Sequence, residues 1–350
     1  MQMRIPSVGL MRQMQEEQAA SETLGIPWTS RIFVPEGRHN RICVEANMSP
    51  QYGLAFKRAY YNWLLKESNN YDIMLLRYST NDFFQLKFLS CCSIPVLFVH
   101  HTIEVPEIFA SRGFFSKIKA MVEWGLGPVS IRKASGIVAV TGEIAEYESY
   151  RSGRDSAAAF IYPNGIGYNN NSSCTDNRTG DFPEILFVGS NFPDWHGLDL
   201  LMDSVSGCSS RFLINLVGDL TDEQRQRAVS DGRYVIHGVM KPVDIEHLSG
   251  RCWVGLSSFA LQRKGMRDAC PLKVREYLRS GLPVYSGHKD VFDEDMTFYR
   301  VGRCDIDDIL AFACEMRSVD KEVVARTAQL YIDKKIILSR LYEQLCRDFV

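Results

Sequence analysis

Residues 263–286 read RKGMRDACPLKVREYLRSGLPVYS, and this stretch decides the interpretation of the second half of the chain. The preceding run WVGLSSF at 253–259 predicts a short buried strand. Pro271 suits the first turn of a helix predicted over 272–280, because its missing N–H is not needed there. Gly281 ends that helix. Since the first N–H groups of a helix are unpaired and carry the positive end of its dipole, a diphosphate can dock on them.

Charged side chains on the predicted helix suit a nucleotide-sugar. Lys273 adds positive charge near the helix start. Glu276 lies about one turn further in, where its carboxylate could accept two hydrogen bonds from sugar hydroxyls. Asp268 precedes Glu276 with seven residues between them and could face the sugar from the loop. The alternative is that Lys273 and Glu276 belong to the solvated face of a surface helix.

This stretch resembles the C-terminal half of the family-4 glycosyltransferases, which are retaining sugar transferases of the GT-B fold. Their usual signature is a Glu, seven residues and a second Glu; here Asp268 takes the first position and Glu276 the second. The resemblance extends to FVGSNFPDWHGLDLLMDSV at 187–205, INLVGD at 214–219 and YPNGIG at 162–167. It implies two Rossmann-like α/β domains facing across a cleft, with the nucleotide-sugar held by the second.

The glycine loop of the second half departs from the family pattern. Family members place an Arg after the first glycine and a Lys before the second, and both bind the diphosphate. Here Ser190 follows Gly189, and His196 precedes Gly197. The resemblance therefore implies that other cations meet the diphosphate charge. The implied nucleotide-sugar residues are Gly189, Ser190, His196, Gly197, Arg263, Lys264, Pro271, Leu272, Lys273 and Glu276. A solvated basic loop at 263–264 and a capping or core role for His196 are the alternatives.

Candidate residues of the first half follow predicted strands. The run VLFVHHTIEVPEI at 96–108 is a buried strand that ends in two histidines, and open α/β sheets bind ligands at the carboxyl ends of their strands. The resemblance implies that one histidine contacts the transferred sugar, and we favour His101 as a catalytic residue beside Asp268 and Glu276. Glu104 or Glu107 would orient it or meet the acceptor. A structural histidine is the alternative.

Two further acceptor residues are predicted in the first half. Arg77 ends the neighbouring predicted strand and could bind an acceptor phosphate, although a structural ion pair is equally compatible with the sequence. Gly9, in a loop at 7–10, would let the backbone approach a phosphate or acceptor closely, as would any ordinary turn glycine.

Alternating strand and helix signals predict parallel sheets with crossover helices. Strands at 32–34, 73–77, 96–100 and 136–141 are expected to form one sheet. The polar run GIGYNNNSSCTDNRTGDFP then marks a boundary. We predict an acceptor-side domain at 1–165, a linker at 166–182 and a nucleotide-sugar domain at 183–330. Residues 331–350 are predicted to form a C-terminal helix that, by resemblance, packs back on the first domain.

Net charge, cysteine spacing and the lack of long apolar runs argue against several classes of protein. The formal net charge is −2, so no global field recruits nucleic acid. The ten cysteines form no CxxC pair and no spacing with histidine that would build a zinc site, so we expect them to be small reduced hydrophobic residues. We expect no metal at the site and no cofactor, with the nucleotide-sugar as substrate. The sequence has neither a secretory leader pattern nor an apolar run of about 18 residues. It therefore predicts a cytoplasmic protein.

Residues 111–133 interleave apolar and basic side chains in SRGFFSKIKAMVEWGLGPVSIRK. A basic amphipathic stretch of this kind can lie on anionic lipid at the inner face of a plasma membrane. The alternative is a helix whose apolar face packs on its own sheet. A lipid contact would suit a transferase whose acceptor is carried on a polyprenyl diphosphate.

The predicted function is metal-independent transfer of a sugar, with retention, from a nucleotide-diphosphate sugar to a saccharide or lipid-linked acceptor. Catalysis would come mostly from positioning and from stabilising the departing diphosphate. The family analogy places the reaction in O-antigen, capsule or exopolysaccharide synthesis. The alternative is a catalytically inactive subunit of the same fold that binds a sugar nucleotide or a partner protein, because Ser190, His196 and Asp268 depart from the pattern.

Overall fold

A computed structural model describes residues 8–35, 40–46, 53–110, 113–168 and 174–350. The predicted backbone approach around Ser7 and the centre of the predicted linker, at 169–173, lie outside these residues. The chain divides into two compact units. Unit 1 comprises residues 1–163 and 334–350, and unit 2 comprises residues 164–333.

Unit 1 contains six strands and seven helices within the described residues. The strands are β1 (Ile32–Val34), β2 (Cys43–Glu45), β3 (Met74–Arg77), β4 (Val96–His100), β5 (Gly136–Ala139) and β6 (Phe160–Ile161). The helices are α1 (Val8–Leu24), α2 (Gly53–Glu67), α3 (Phe83–Cys91), α4 (Glu104–Ala110), α5 (Phe114–Lys133), α6 (Gly142–Ser152) and, at the end of the chain, α13 (Lys334–Phe349).

The main sheet of unit 1 is parallel with the strand order β3-β4-β5-β6. The prediction that residues 32–34 join this sheet is wrong among the described residues. Strand β1 instead pairs with β2 in a separate two-stranded parallel sheet. This arrangement packs Phe33 against Phe56 and Trp63 of α2, with ring centroids 5.3 Å away in both cases. Burial of these rings stabilises the position of β1, which forms no hydrogen bond to β3 among the described residues.

Helix α13 belongs to unit 1 although it comes last in the chain. Its apolar residues recur at helical spacing, and Leu338, Leu341 and Leu345 are buried in one cluster with Leu97 of β4 and Val138 of β5. The last helix therefore completes the core over the sheet on which the candidate histidines stand.

Unit 2 restarts the α/β pattern. Its strands are β7 (Glu184–Asn191), β8 (Leu213–Asp219), β9 (Tyr234–Gly238), β10 (Val254–Leu256), β11 (Val284–Ser286) and β12 (Tyr299–Val301). Its helices are α7 (Leu198–Ser206), α8 (Asp222–Ser230), α9 (Pro242–Arg251), α10 (Leu272–Arg279), α11 (Ile306–Met316) and α12 (Lys321–Ile332). The sheet is parallel with the order β12-β11-β10-β7-β8-β9. The order reverses beside β7, and ligands of open α/β sheets bind at such a point.

The described residues on either side of 169–173 pack within unit 2, where the sequence predicted a free linker at 166–182. Ile166 forms a parallel bridge with Asp333. Asn177 donates its N–H to Gly250 O at 2.9 Å, and Arg178 is buried and donates to Met316 O at 3.1 Å. These hydrogen bonds satisfy backbone groups that a solvated linker would leave to water.

Two glycines explain why β7 and α10 meet their neighbours so closely. Gly218, at the end of β8, has a φ of 130°, and a Cβ there would lie 1.9 Å from Gly189 O. Gly281 follows α10 with a φ of 71°, and its Cβ would lie 2.4 Å from Lys321 O. Both positions therefore require glycine.

Candidate nucleotide-sugar site

Helix α10 begins where the sequence predicted, with Pro271 as its N-cap residue and Leu272 as its first residue. Its apolar residues Val274, Tyr277 and Leu278 are buried, whereas Lys273 and Glu276 are only partly buried. Because residues three apart share a helix face, Lys273 and Glu276 lie on the same side of α10. The first turn of α10 thus combines unpaired N–H groups, one cation and one carboxylate.

Lys273 reaches the end of β7. Its Nζ donates to Val188 O at 3.0 Å and lies 4.9 Å from the ring centroid of Phe187. Among the described residues, no carboxylate forms an ion pair with it. Burial lowers the pKa of Lys273 to about 7, because the ammonium has lost water and gained no counter-charge. A partly buried cation beside a glycine loop, with no carboxylate paired to it in the described part of the chain, can bind an anion.

A second contact fixes α10 against the same strand. Val188 donates its N–H to Tyr277 Oη at 2.8 Å, and the Tyr277 ring packs over Gly255 of β10, where a Cβ would lie 2.6 Å from the ring. The Lys273 ammonium is therefore held in place by its helix and does not depend on a flexible loop.

His196 lies beside Gly189, whose added Cβ would approach the His196 ring to 3.2 Å. The ring is partly buried, and it contacts Phe187 and Phe192. Burial, together with the charges of Lys273 and Lys264, lowers the pKa of His196 to about 3. His196 is therefore neutral at pH 7, and its Nδ1 is buried without a hydrogen-bond partner in the described structure.

The basic loop at 263–264 is partly committed to other contacts. Arg263 pairs with Asp199 through two hydrogen bonds of 2.9 and 2.7 Å and donates to Asp194 O at 2.7 Å. Lys264 Nζ lies 5.3 Å from the ring centroid of Trp195. Ala260 and Phe259 donate their N–H groups to the loop that carries His196. Arg263, Lys264 and Lys273 are the basic residues expected to meet the diphosphate. Arg263 already has a carboxylate partner, while Lys273 has none among the described residues.

Asp268 lies in the loop before α10, and that loop is anchored on both sides. Asp268 bridges Lys289 in a parallel β-bridge, and Ala269 donates to Lys289 O at 3.0 Å. At the end of the loop, Asn164 donates its Nδ2 to Cys270 O at 2.5 Å.

A buried ion pair that no local sequence pattern indicates lies under this loop. Arg275 makes two hydrogen bonds to Asp290, of 2.5 and 2.6 Å, and both side chains are fully buried. Arg275 also donates to Asn164 O at 3.0 Å. The pair thus ties α10 to the YPNGIG segment. This contact joins residues 111 positions apart, so neither segment by itself indicates it.

In unit 1, the carboxyl end of the sheet brings together three of the predicted residues. His101 follows β4 and is partly buried, and burial lowers its pKa to about 3, with Arg77 and Lys334 adding to the effect. Arg77 ends β3 and lies within electrostatic range of Glu104 and Glu107. His101 is thus a neutral imidazole at pH 7, able to donate or accept one hydrogen bond.

Glu104 does not orient His101. Its Oε1 lies 2.9 Å from Nδ1 of the buried His100 instead, at the start of α4. Burial raises the pKa of Glu104 to about 7 and that of Glu148, on α6, to about 8. Gly9 lies in the first turn of α1 and not in a loop; it is exposed, and a Cβ there would meet no atom within 4 Å. The packing therefore gives no reason for glycine at that position.

Comparison with known proteins identifies the architecture. No protein-family model matches the sequence, and no curated protein matches it. Solved structures do. A glycosyltransferase from Rickettsia africae ESF-5 superposes with a TM-score of 0.71 and 13% identity, covering 98% of this chain and 97% of that one. This chain has the GT-B glycosyltransferase fold, with two Rossmann-like domains.

Two other GT-B structures are similar over nearly their full length. The lipopolysaccharide outer core galactosyltransferase WaaB matches with a TM-score of 0.68 and 12% identity, covering 99% of this chain and 98% of that one. Anabaena Alr3699/HepE, solved with UDP and glucose, matches with a TM-score of 0.66, 15% identity and the same coverages. At these identities the likeness concerns the fold.

Proposed function

We propose that this GT-B protein is a glycosyltransferase that moves a sugar from a nucleotide-diphosphate sugar to a saccharide or lipid-linked acceptor, with retention and without a metal at the transfer centre. The observation that carries the proposal is Lys273, a cation held beside the glycine loop of β7 with no carboxylate paired to it among the described residues. A diphosphate would supply the missing charge. Its binding would also use the free N–H groups of α10.

The residues of unit 2 then take defined roles. Lys273 and the start of α10 would stabilise the negative charge that develops on the departing diphosphate, which is the main electrostatic demand of glycosyl transfer. Glu276, on the same face of α10, would accept hydroxyl hydrogen bonds from the donor. Asp268 would face the transferred sugar from its anchored loop. In unit 1 we propose His101 as a neutral hydrogen-bonding partner for a sugar hydroxyl.

The proposal includes the setting. WaaB acts on lipopolysaccharide outer core, and HepE was solved with UDP-glucose. The HepE complex supports a UDP-sugar as the first donor to test. WaaB supports cell-surface polysaccharide, such as O-antigen, capsule or exopolysaccharide, as the product. We place the protein in the cytoplasm, at the inner face of the plasma membrane.

Replacing Glu276 by Gln tests the donor site. The substitution keeps the shape and removes the charge, so hydrogen bonds to a charged acceptor are lost, each worth about 1.5–3 kcal/mol. We expect kcat/KM for the donor to fall about tenfold to hundredfold. The rate at which nucleoside diphosphate is released from UDP-, GDP- and ADP-sugars measures this kcat/KM. The control is Glu246→Gln, because Glu246 is an exposed carboxylate on α9. Equal rates for wild type and Glu276→Gln would remove Glu276 from the site.

The same assay separates the second candidate function. Ser190 and His196 stand where the family places cations, which favours a subunit that binds a nucleotide without turnover. Such a protein would bind one nucleoside diphosphate in calorimetry but release none from any donor, with or without acceptor lipid. Turnover of any donor discards this alternative.

A lipid face on α5 is also part of the proposal. In the described part of unit 1, α5 buries residues such as Ala120, Glu123 and Gly127. Opposite them, the apolar residues Phe114, Ile118, Met121, Val122 and Val129 are exposed, and Phe115 and Trp124 are exposed beside this stripe. Phe114 and Met121 are 74% and 73% exposed. The only acid of α5 is the buried Glu123, whereas Lys117, Lys119, Arg132 and Lys133 face solvent. Apolar and cationic groups together fit an anionic bilayer surface.

No helix among the described residues is both long and apolar enough to cross a bilayer, so the proposed contact is peripheral. We expect the double substitution Phe114→Asp/Met121→Asp to weaken binding to phosphatidylglycerol vesicles at least tenfold, because each inserted apolar side chain contributes about 1.5–3 kcal/mol. Vesicle co-sedimentation at low and high salt measures this. The control is Val229→Asp, because Val229 of α8 is exposed to a similar extent but lies outside α5. Wild type that fails to bind the vesicles at low salt would exclude the lipid face.

A further inference from the structure

A buried cluster in unit 1 plays no part in the proposed transfer. His100 ends β4, Glu104 opens α4 and Glu148 lies on α6; all three side chains are buried. His100 Nδ1 lies 2.9 Å from Glu104 Oε1 and 4.0 Å from Glu148 Oε2. Each residue directs one ligand atom into a volume in which these atoms are all within 4.8 Å of one another. Three different elements therefore converge on one point.

The charges of the cluster do not balance. A third carboxylate, Glu123 of α5, is satisfied, because it accepts from Tyr78 Oη at 2.5 Å, from Asn81 N–H at 2.7 Å and from Arg151 at 3.1 Å. Arg151 also donates to Glu148 at 2.5 Å. One guanidinium thus faces three carboxylates. Arg77 is near Glu104, but its side chain is exposed, so water screens its charge.

The remaining acceptor atoms point to a missing cation. Glu104 Oε2 and Glu148 Oε1 are buried and have no hydrogen-bond partner in the described structure. Buried carboxylate oxygens without partners are costly, and buried charges are normally paired or coordinate a metal. Arg151 supplies one positive charge to three carboxylates, so with all three ionised a single divalent ion would neutralise the cluster.

We propose that His100, Glu104 and Glu148 bind one divalent transition-metal ion, with Zn²⁺ the best fit. One imidazole and two carboxylates are a zinc ligand set with a fourth position left for water, whereas Mg²⁺ and Ca²⁺ require about six or more oxygen ligands. The ligand atoms, which lie within 4.8 Å of one another, would adjust to separations of about 3.4 Å, the edge of a tetrahedron with bonds of about 2.1 Å. Arg151 would hold the second oxygen of Glu148, as outer partners of metal-bound carboxylates do.

The ion would have a structural role. It would join β4, α4 and α6 directly beneath the turn that carries His101, and it takes no part in sugar transfer. Gly127 shows how tightly the surroundings are packed, since a Cβ there would lie 2.2 Å from Arg151 and 2.3 Å from Glu123. Because the ion would have no role in sugar transfer, the metal-site proposal does not depend on the proposed transferase function.

Metal analysis of the full-length protein tests the proposal. After metal removal with a chelator and addition of one equivalent of Zn²⁺, we expect about one bound ion per chain and a rise in Tm of about 5 °C or more. Glu104→Gln and Glu148→Gln should each abolish both effects. Glu107→Gln, on the same helix as Glu104, should retain them and is the matched control. Replacement by Co²⁺ distinguishes this site from the cysteines, because thiolate ligands give charge-transfer absorption and this site should give none.

Two results would overturn the proposal. The first is that Zn²⁺, Mn²⁺ and Ni²⁺ each fail to bind the wild-type protein and fail to raise its Tm. The second is Zn²⁺ binding that survives unchanged in both Gln variants, which would place the ion elsewhere. Should one variant fail to fold, the other still decides.

Discussion

The affinity of this protein for pyrophosphate and for its nucleoside diphosphate is expected to fall about 15-fold between pH 7 and pH 8.5. The cause is Lys273, whose pKa burial lowers to about 7 in the free protein. A bound diphosphate favours the ammonium, so the complex keeps the proton while free Lys273 loses it. Binding is therefore unaffected by this group well below pH 7 and weakens as the pH rises above it.

Calorimetry at several pH values in buffers of different ionisation enthalpy measures both the affinity and the proton uptake. Pyrophosphate is used because it needs no knowledge of the base, followed by UDP, GDP and ADP. Lys273→Met should bind weakly with no dependence on pH above 7. Lys87→Met, which removes an exposed lysine of α3, should behave as wild type. A wild-type affinity that stays constant from pH 7 to 8.5 would show that the diphosphate does not meet Lys273.

Asp290→Asn is expected to destabilise α10 by about 3–5 kcal/mol, because it leaves the fully buried guanidinium of Arg275 without its counter-charge. The loss should appear first as faster hydrogen exchange in peptides that cover α10 and the segment at 162–167, since Arg275 also bonds Asn164. Nucleotide binding should weaken with it, because Lys273 and Glu276 stand on the same helix.

The control for this prediction is Glu315→Gln. It breaks the exposed pair of Arg300 and Glu315, which has hydrogen bonds of 2.8 and 3.0 Å and is also in unit 2. An exposed pair is worth under about 1 kcal/mol, so α10 should exchange as in wild type. The double substitution Arg275→Met/Asp290→Leu should recover part of the loss, because it removes both buried charges together. Equal exchange in Asp290→Asn and Glu315→Gln would contradict the assignment.

The start of α10 shows how far local sequence carries a prediction. Pro271 and Gly281 bracket the helix, and its register puts Lys273 and Glu276 on one face; both features follow from local sequence. Gly9 shows the limit of the same reasoning, because a glycine near a chain start reads equally well as a loop or as the first turn of a helix. The wrong single-sheet prediction for residues 32–34 has a similar cause, since an apolar triplet does not specify which strand it pairs with.

The cluster around His100 was not predicted at all. The sequence shows two adjacent histidines and nearby acids, and it offers Glu104 or Glu107 as a residue that orients His101 or meets the acceptor. His100 is the last residue of β4 and His101 is the first residue after it, so an acid that reaches one histidine need not reach the other. Which face α4 covers is settled by packing. The only local signal of the cluster was the spacing of Glu148 and Arg151, three residues apart on one helix.

The sequence by itself determined the alternation of buried strands and helices, the two-domain α/β architecture and a helix start suited to a diphosphate, because these depend on apolar periodicity and on residues with fixed backbone preferences. Only the tertiary structure decided that Lys273 meets β7 without a carboxylate partner among the described residues, that Arg275 locks onto Asp290, and that three elements bring His100, Glu104 and Glu148 together. Burial and counter-charge set the chemistry of these side chains, and both arise from residues that are far apart in the chain.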